Sequence, residues 1–220
     1  MSDKSDDRRE QIFSVAAKFF AEKGYERTSL QEIADVMGFT KAAFYYYYNS
    51  KEQLLFEIMK FVIDKALIDI REVSASDVPA EEKLREFVRR HMRFFATHPA
   101  ELTIMATAVD SLGQEHRAVI VQDQRDYVAF VKDIVADLIR GRRDQEFDDE
   151  TCVAFALLGS LNWLYKWYDP HGRITPDRLA DHFLKLFCRG LVCDDGGNKG
   201  DKTDPPPGNS VDRSLRPRRR

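Results

Sequence analysis

The 220-residue sequence has little cysteine and no long apolar run, and these absences narrow the possible classes of protein. Its three cysteines, Cys152, Cys188 and Cys193, are too few and too unevenly spaced for a disulfide framework. Each lies in an apolar helical pattern, which predicts buried thiols. No uninterrupted apolar segment approaches the roughly 20 residues that span a bilayer, and residues 1–10 are too charged for a signal peptide. We therefore expect a cytoplasmic chain without a membrane partner.

The sequence also lacks an excess of positive charge, because it contains 34 Lys and Arg and 37 Asp and Glu. Residues 1–50 carry seven Lys and Arg against eight Asp and Glu. This balance excludes a nonspecific nucleic-acid coat, so any DNA binding depends on where single charges are placed. The sequence contains no His-Glu-x-x-His, Cys-x-x-Cys, Gly-x-Ser-x-Gly or glycine-rich phosphate loop. We therefore expect neither an enzyme nor a bound metal or cofactor.

Apolar residues recur at helical spacing along most of the chain. In residues 9–23 they occupy positions i, i+3, i+4, i+7 and i+8 of one stripe. Further helices are predicted over residues 29–37, 41–48, 50–73, 82–98, 100–112, 115–140, 150–168 and 177–193. No stretch alternates apolar and polar residues between turn signals, so the sequence predicts an all-α fold.

Residues 29–48 match a helix-turn-helix, in which two short helices are joined by a tight turn that contains glycine, here Gly38. Ser29 and Glu32 have the spacing of a capping box at the start of the first helix. Thr40 can cap the second helix. In such a unit the second helix protrudes and enters the major groove of DNA.

Four consecutive tyrosines, residues 45–48, lie on the predicted second helix. On a 3.6-residue period Phe44, Tyr47 and Tyr48 share a face, which we expect to pack inward. The opposite side carries the side chains that we expect to face DNA, namely Lys41, Ala42, Tyr45 and Tyr46. The tyrosine run is therefore predicted to divide into an inward pair and an outward pair.

Residues 12–59, IFSVAAKFFAEKGYERTSLQEIADVMGFTKAAFYYYYNSKEQLLFEIM, resemble the N-terminal part of the TetR-type transcriptional repressors. The shared pattern is an amphipathic helix followed by Gly-Tyr, Thr-Ser, Ile-Ala, Gly-Phe-Thr-Lys, an aromatic-rich helix and Ser-Lys-Glu. The resemblance implies a helix-turn-helix DNA-binding domain over residues 1–50 and a larger helical ligand-binding and dimerisation domain over residues 51–193. It also implies a homodimer that binds a palindromic operator in double-stranded DNA. Residues 194–220 lack aromatics and predict a disordered tail.

The position of each residue in that motif implies a set of DNA contacts. The set is Thr28, Thr40, Lys41, Ala42, Tyr45, Tyr46 and Lys51. Thr28 resembles a phosphate contact ahead of the second helix, Tyr45 a tyrosine that hydrogen-bonds phosphate, and Lys51 a lysine that holds the DNA backbone after the turn. Tyr46 replaces the commoner histidine and Tyr48 the commoner phenylalanine, so the resemblance does not imply an operator sequence.

The same resemblance implies an effector pocket among the C-terminal helices. Residues 167–183, WYDPHGRITPDRLADHF, further resemble a subgroup that responds to fatty acyl-CoA. Met and aromatic side chains adapt to acyl chains, so we expect a small hydrophobic effector such as an acyl-CoA. The predicted pocket residues are Phe94, Phe95, Met105, Tyr127, Phe130, Trp163 and Lys166, the last of which could meet a phosphate or carboxylate.

Trp163 and several other residues also have a simpler structural interpretation. Trp163 and Trp167 lie four residues apart and would more often pack in the core. His91 lies on an apolar stripe and would more often be a buried histidine with its hydrogen bonds satisfied, while Glu115 and His116 read as a surface pair. Two other functions stay open: an all-α lipid-binding protein or enzyme, and a DNA-binding regulator without a small-molecule effector. An interior without a ligand-sized cavity would favour the regulator without an effector.

Overall fold

The computed structural model of the chain describes residues 3–141 and 149–191. Over these residues the chain forms α-helices and two short 3-10 turns without any strand, which confirms the predicted all-α fold. No helix in this part of the chain is both long and apolar enough to cross a bilayer. The predicted tail and Cys193 lie outside the described residues.

Nine α-helices succeed one another in the described part of the chain. They are α1 (Asp3–Lys23), α2 (Leu30–Val36), α3 (Lys41–Tyr47), α4 (Lys51–Ala75), α5 (Ala80–Thr97), α6 (Pro99–Thr107), α7 (Gln114–Arg140), α8 (Glu150–Asn162) and α9 (Pro176–Leu191). The two 3-10 turns are Val109–Ser111 and Trp163–Lys166.

Glycines and polar caps set the boundaries of the first helices, as the sequence predicts. Gly24 ends α1 with φ +88° and Gly38 forms the turn after α2 with φ +69°, in the left-handed region that side chains with a Cβ disfavour. Ser29, Thr40 and Ser50 each accept a hydrogen bond from a backbone N–H in the first turn of the following helix. The chain therefore makes three short connections within the first fifty residues.

The helices share one continuous apolar core that extends from α1 to α9. The main contacts pair α4 with α7, α5 with α9 and α1 with α6. Helix α4 follows α3 directly and also contacts α1, α5 and α6. Helix α4 therefore connects the helix-turn-helix with the C-terminal helices, alongside the contact between α1 and α6.

Two expectations about burial are wrong. Helix α8 ends at Asn162 and the chain continues as a 3-10 turn, so Trp163 and Trp167 do not share the helical stripe that their spacing predicts. Trp163 is 57% exposed and Trp167 is also exposed, rather than packed in the core. The thiol of Cys152 is exposed at the start of α8, where it donates to Asp149 Oδ2 at 3.3 Å. Cys188 is half-buried.

Candidate nucleic-acid interface and internal cavity

Local hydrogen bonds fix both the start of α2 and the turn between α2 and α3. Ser29 and Glu32 form the predicted capping box, with Ser29 Oγ accepting from Glu32 N at 3.2 Å and Glu32 Oε2 accepting from Ser29 N at 2.9 Å. The ammonium of Lys23, 2.9 Å from Glu32 Oε1, and these bonds lower the pKa of the Glu32 carboxyl to about 2. Phe39 N donates to the Ala34 carbonyl at 2.9 Å and closes the turn.

The outer face of α3, together with its N-cap Thr40, carries five of the seven residues predicted to contact DNA. All five are exposed, and they are Thr40, Lys41, Ala42, Tyr45 and Tyr46. Tyr46 is 84% exposed, so its hydroxyl stands clear of the protein. Because residues 41, 42, 45 and 46 fall on one side of a helix with 3.6 residues per turn, they form one continuous surface. We call these five residues the recognition face.

Fewer residues at the end of α3 pack inward than the sequence predicts. Phe44 and Tyr48 are buried with their ring centroids 5.5 Å apart, but Tyr47 is 57% exposed. Tyr47 is the last residue of α3, and Tyr48 already leaves the helix in an extended conformation. Tyr47 lies against the rings of Phe39 and Tyr46 instead. The prediction that Tyr47 packs inward is therefore wrong, because Phe44 and Tyr48 occupy the core beneath the end of α3.

Thr28 requires a second correction. Its side chain is buried, at 2% exposure, and its hydroxyl lies 3.0 Å from the Gly24 carbonyl oxygen and 3.2 Å from the Phe19 carbonyl oxygen, to which it donates. The hydroxyl thus ties the connection before α2 to the C-terminal end of α1. The structure assigns Thr28 to the fold rather than to the DNA-contacting surface.

Lys51 is engaged within the chain. Its Nζ donates to the carbonyl oxygens of Tyr25 at 2.9 Å and Glu26 at 3.3 Å, and lies 4.3 Å from the centroid of the Tyr25 ring. These contacts tie the first turn of α4 to the connection between α1 and α2. A contact between Lys51 and the DNA backbone stays a prediction.

Two arginines beside α3 were not singled out from the sequence. Arg8 and Arg9, both exposed, lie in α1 next to a groove of about 340 Å³ that Phe39, Tyr47 and Tyr48 also line. The Arg8 guanidinium lies 4.7 Å from the Phe39 ring centroid, and Arg9 pairs with Glu57 at 3.0 Å. Their adjacency at the start of an amphipathic helix was the only signal, and the net charge of the region concealed it.

An internal cavity of about 310 Å³ lies among α4, α5, α6, α7 and α8. Its volume is at the lower end of the range of about 300–1,000 Å³ that is typical of small-molecule sites. The lining is mainly apolar and comprises Val62, Ile63, Ala66, His91, Phe94, Leu102, Met105, Ala106, Gln124, Tyr127, Val128, Leu158 and Asn162. None of these residues is Lys, Arg, Asp or Glu. Ala106 and Asn162 are exposed, so the cavity opens to solvent near them.

Three of the seven predicted pocket residues line this cavity, namely Phe94, Met105 and Tyr127. The other four lie elsewhere, and the reasons differ. Phe95 is buried on another side of α5 and contacts Tyr168, while Phe130 packs under the Arg71 guanidinium. Trp163 and Lys166 lie beyond the end of α8 in the 3-10 turn, and both are exposed. Lys166 lines a separate groove between α1 and α6.

His91 lines the cavity, which its position on an apolar stripe did not reveal. Its Nδ1 lies 3.1 Å from the Tyr127 hydroxyl, whereas its Nε2 is buried without a hydrogen-bond partner among the described residues. Burial lowers the pKa of His91 to about 4 and raises the pKa of Tyr127, so both side chains are neutral at pH 7. The expectation that all hydrogen bonds of His91 are satisfied is wrong.

His116 is partly exposed at the surface beside the exposed Glu115, and it also connects the start of α7 to the start of α4. Its Nδ1 lies 2.7 Å from Glu52 Oε1, and its ring stacks on Phe56 at a centroid distance of 4.0 Å. The backbone N–H of Gly113 donates to the same Glu52 oxygen at 3.0 Å. These hydrogen bonds lower the pKa of Glu52. Sequence spacing gave no signal for the contact, because 64 residues separate its partners.

Large apolar side chains are exposed on α8, on α9 and between them. They are Phe155, Trp163, Trp167, Ile174 and Leu186. A Cβ added at Gly159 of α8 would meet no atom within 4 Å, so packing inside this chain does not require glycine there. Exposed apolar residues in such number indicate a surface that contacts another molecule.

A capped helix, a glycine turn and a second helix with an exposed outer face define a helix-turn-helix DNA-binding protein. The chain belongs to the TetR family of transcriptional regulators. Residues 12–58 match the family model described as bacterial regulatory proteins of the tetR family, and residues 77–191 match the model of the tetracyclin repressor-like C-terminal domain. In the part of the chain that the structure covers, no cluster of His, Cys, Asp and Glu could hold a metal ion.

Similar proteins extend over most of the chain. The transcriptional repressor KstR2 of Rhodococcus jostii is 27% identical over 188 residues, which cover 84% of this chain and 91% of that protein. The TetR-family regulator PfmR of Thermus thermophilus is 30% identical, with a TM-score of 0.75 over 82% of this chain and 98% of that one. The regulator AibR, solved with isovaleryl coenzyme A and operator DNA, is 31% identical, with a TM-score of 0.72 over 81% and 97% of the two chains.

Proposed function

We propose that the protein is a homodimeric transcriptional repressor that binds a palindromic operator and leaves it when a small hydrophobic effector enters the internal cavity. In this proposal residues 1–50 form the DNA-binding domain and residues 51–193 the effector-binding and dimerisation domain. The observation that carries the proposal is the presence, in one chain, of the recognition face on α3 and a cavity of ligand size about α4.

The recognition face supports operator binding through uncharged groups as well as charge. Its hydroxyls come from Thr40, Tyr45 and Tyr46, and Lys41 is its one cation. Hydroxyls donate to phosphate oxygens and position a helix on the duplex, while the small side chain of Ala42 permits a close approach to the bases. Because residues 1–50 have no net positive charge, these local donors carry more of the affinity than a basic field would.

The cavity supports the response to an effector, and it argues against a regulator without a small ligand. AibR, a similar structure, binds isovaleryl coenzyme A and operator DNA. We therefore propose an acyl thioester or a related apolar molecule as effector of this chain. An effector releases the operator only if it binds the DNA-incompetent state more tightly than the DNA-competent state.

Helix α4 supplies the route between the two sites. It lines the cavity with Val62, Ile63 and Ala66, and its first turn carries Lys51 and Glu52. Lys51 is bonded to the connection between α1 and α2, and Glu52 to the start of α7. A shift of α4 relative to α7 would therefore move the helix-turn-helix and change the separation of the two recognition helices in a dimer.

The exposed apolar side chains of α8 and α9 support the homodimer. A two-fold interface places the same surface of both copies together, and the open space at Gly159 allows a close helix approach. Replacing the exposed Leu186 by glutamate would put two like charges into this interface. We expect Leu186→Glu to be monomeric in sedimentation velocity and to lose operator affinity, while a Leu186→Met control stays dimeric.

The experiment that tests the function is a gel-shift assay with the DNA upstream of the protein's own gene. Full-length protein is expected to retain one fragment, and octanoyl-CoA is expected to release it. If a fragment is retained but acyl thioesters do not release it, the protein binds DNA but does not respond to this class of effector. If no upstream fragment is retained with or without octanoyl-CoA, the proposed repressor function is wrong.

A further inference from the structure

His91 and Tyr127 together form a polar pair in the wall of an otherwise mainly apolar cavity. The contact of 3.1 Å between Nδ1 and the hydroxyl is a hydrogen bond in one of two forms. If the tyrosine donates, the histidine carries its proton on Nε2, which is buried and without a partner. If the histidine donates from Nδ1, the tyrosine proton has no acceptor within the pair.

Both forms leave the pair with one unused donor. A neutral histidine has one N–H and tyrosine has one O–H, and the internal hydrogen bond uses one of these two protons. A buried donor without an acceptor costs about 1–3 kcal/mol. A ligand that brings an acceptor to this place therefore gains affinity in addition to that of its apolar contacts.

The charges around the cavity decide which kind of hydrogen-bond acceptor a ligand can bring to the pair. No residue that lines the cavity is Lys or Arg. Arg90, which lines the adjoining space, is paired with Glu86 at 2.7 Å and Glu72 at 2.8 Å. Asp69 also borders that space. A carboxylate buried here would have no compensating charge, which is costly in a protein interior.

On the basis of the function proposed above, we infer that the His91–Tyr127 pair recognises the carbonyl oxygen of an uncharged acyl group, such as a thioester or ester. The apolar chain of the ligand lies against residues such as Val62, Met105 and Leu158. His91 as a whole keeps some accessible surface, but its Nε2 is buried, so the ring has to rotate for that donor to reach the ligand. Free fatty acids are excluded by their charge, and saturated thioethers lack the carbonyl oxygen next to the sulfur.

A bound water is the competing partner for the pair. A separate space of about 20 Å³ adjoins His91 and Tyr127, and about 10–15 Å³ of such volume is enough for one water molecule. If a water already satisfies the pair, a ligand carbonyl adds nothing to the affinity. The two possibilities give opposite results with ligands that differ only in that oxygen.

The test compares the S-octanoyl thioester of N-acetylcysteamine, the S-octyl thioether of N-acetylcysteamine and octanoate, each titrated into the full-length protein by calorimetry. We expect the thioester to bind about 10-fold more tightly than the thioether, as one regained hydrogen bond implies. Octanoate is expected to bind most weakly. A thioester-to-thioether affinity ratio near one, or tightest binding by octanoate, would overturn the inference.

Substitutions of His91 and Tyr127 test whether this pair causes the preference for the thioester. Tyr127→Phe and His91→Leu each leave one unused donor, as in the wild type, so each is expected to keep a preference for the thioester, whereas the double variant has none and its ratio is expected to fall to about one. Tyr168→Phe is the matched control, because its hydroxyl donates to the Ile174 carbonyl at 3.0 Å outside the cavity. Thioether binding by the double variant shows that the cavity has survived. A double variant that binds the thioether and still prefers the thioester as the wild type does would place the recognition elsewhere.

The same titrations separate this inference from the proposed function. Equal and tight binding of thioester and thioether would contradict the role of the pair and leave the cavity as the effector site. Absence of binding by all three compounds would contradict the cavity as a site for acyl effectors, and with it the inference.

Discussion

The recognition face and the internal cavity are built in opposite ways. The recognition face comes from one short helix, and every member of it is exposed and makes few contacts within the chain. The cavity draws its wall from five helices whose lining residues extend from Val62 to Asn162. Substitutions on the recognition face should therefore change binding without changing stability, while substitutions around the cavity should affect ligand binding and packing together.

The largest effect is expected beneath the recognition face, inside the tyrosine run. Tyr48 is buried and packs on Phe13 and Phe44, so Tyr48→Ala should lower the free energy of unfolding by about 3 kcal/mol. Tyr47→Ala, one residue away but exposed, should cost less than about 1 kcal/mol. Urea unfolding followed by circular dichroism measures both. Equal losses of unfolding free energy in the two variants would contradict the assignment of Tyr48 to the core and Tyr47 to the surface.

The second-largest effect is expected on the pH dependence of stability, which His91 in the cavity wall should change. Because the pKa of His91 is lowered to about 4 in the folded protein, the unfolded state binds more protons below pH 6.5. The contribution of this histidine to stability is therefore lost as the pH falls from about 6.5 towards 4. Between pH 7 and pH 5 the wild type should lose about 2 kcal/mol more than His91→Leu. Parallel pH profiles for the two proteins would show that His91 is solvated in the folded state.

Filling the cavity tests whether it is the effector site. Ala66 lines it from α4, so Ala66→Leu should weaken octanoyl-CoA binding at least about 10-fold while operator affinity stays unchanged. Ala75→Leu, at the exposed end of the same helix, is the matched control. Calorimetry gives the effector affinity and fluorescence anisotropy the operator affinity. Unchanged effector binding in Ala66→Leu would place the effector outside this cavity.

The smallest predicted effect is on the recognition face itself. Tyr45→Phe removes one hydroxyl that we expect to donate to a phosphate, so operator affinity should fall about 5-fold. Thermal stability should not change, because Tyr45 is exposed. The control is Tyr168→Phe, which alters a hydroxyl remote from α3. If Tyr45→Phe binds the operator as the wild type does and Tyr47→Phe does not, the DNA-contacting side of α3 has been assigned wrongly.

Local chemistry made the helix-turn-helix predictable. The caps Ser29 and Thr40 and the left-handed Gly38 act within three or four residues, so sequence spacing is enough to place them. The error at Tyr47 arose at the last residue of α3, whose ring lies against Phe39 and Tyr46 rather than in the core, which helical period alone does not reveal. The family resemblance also assigned Thr28 to DNA without information about its burial.

The cavity was only partly predictable, because it depends on contacts between distant helices. The content of methionine and aromatic residues identified Phe94, Met105 and Tyr127, but the end of α8 at Asn162 removed Trp163 and Lys166 from the wall. Three-dimensional packing brought in residues without a distinctive spacing, such as Ala66. The unused donor shared by His91 and Tyr127 depends on a contact between residues 36 positions apart.

The central claim is that occupancy of the cavity controls the recognition face. It is tested most directly by the fluorescence anisotropy of a labelled upstream DNA fragment bound to the full-length protein, titrated with octanoyl-CoA. We predict that octanoyl-CoA releases the fragment from the wild type and from Ala75→Leu, and that Ala66→Leu retains it at the same concentrations. Release that is equally efficient from Ala66→Leu and the wild type would contradict the claim.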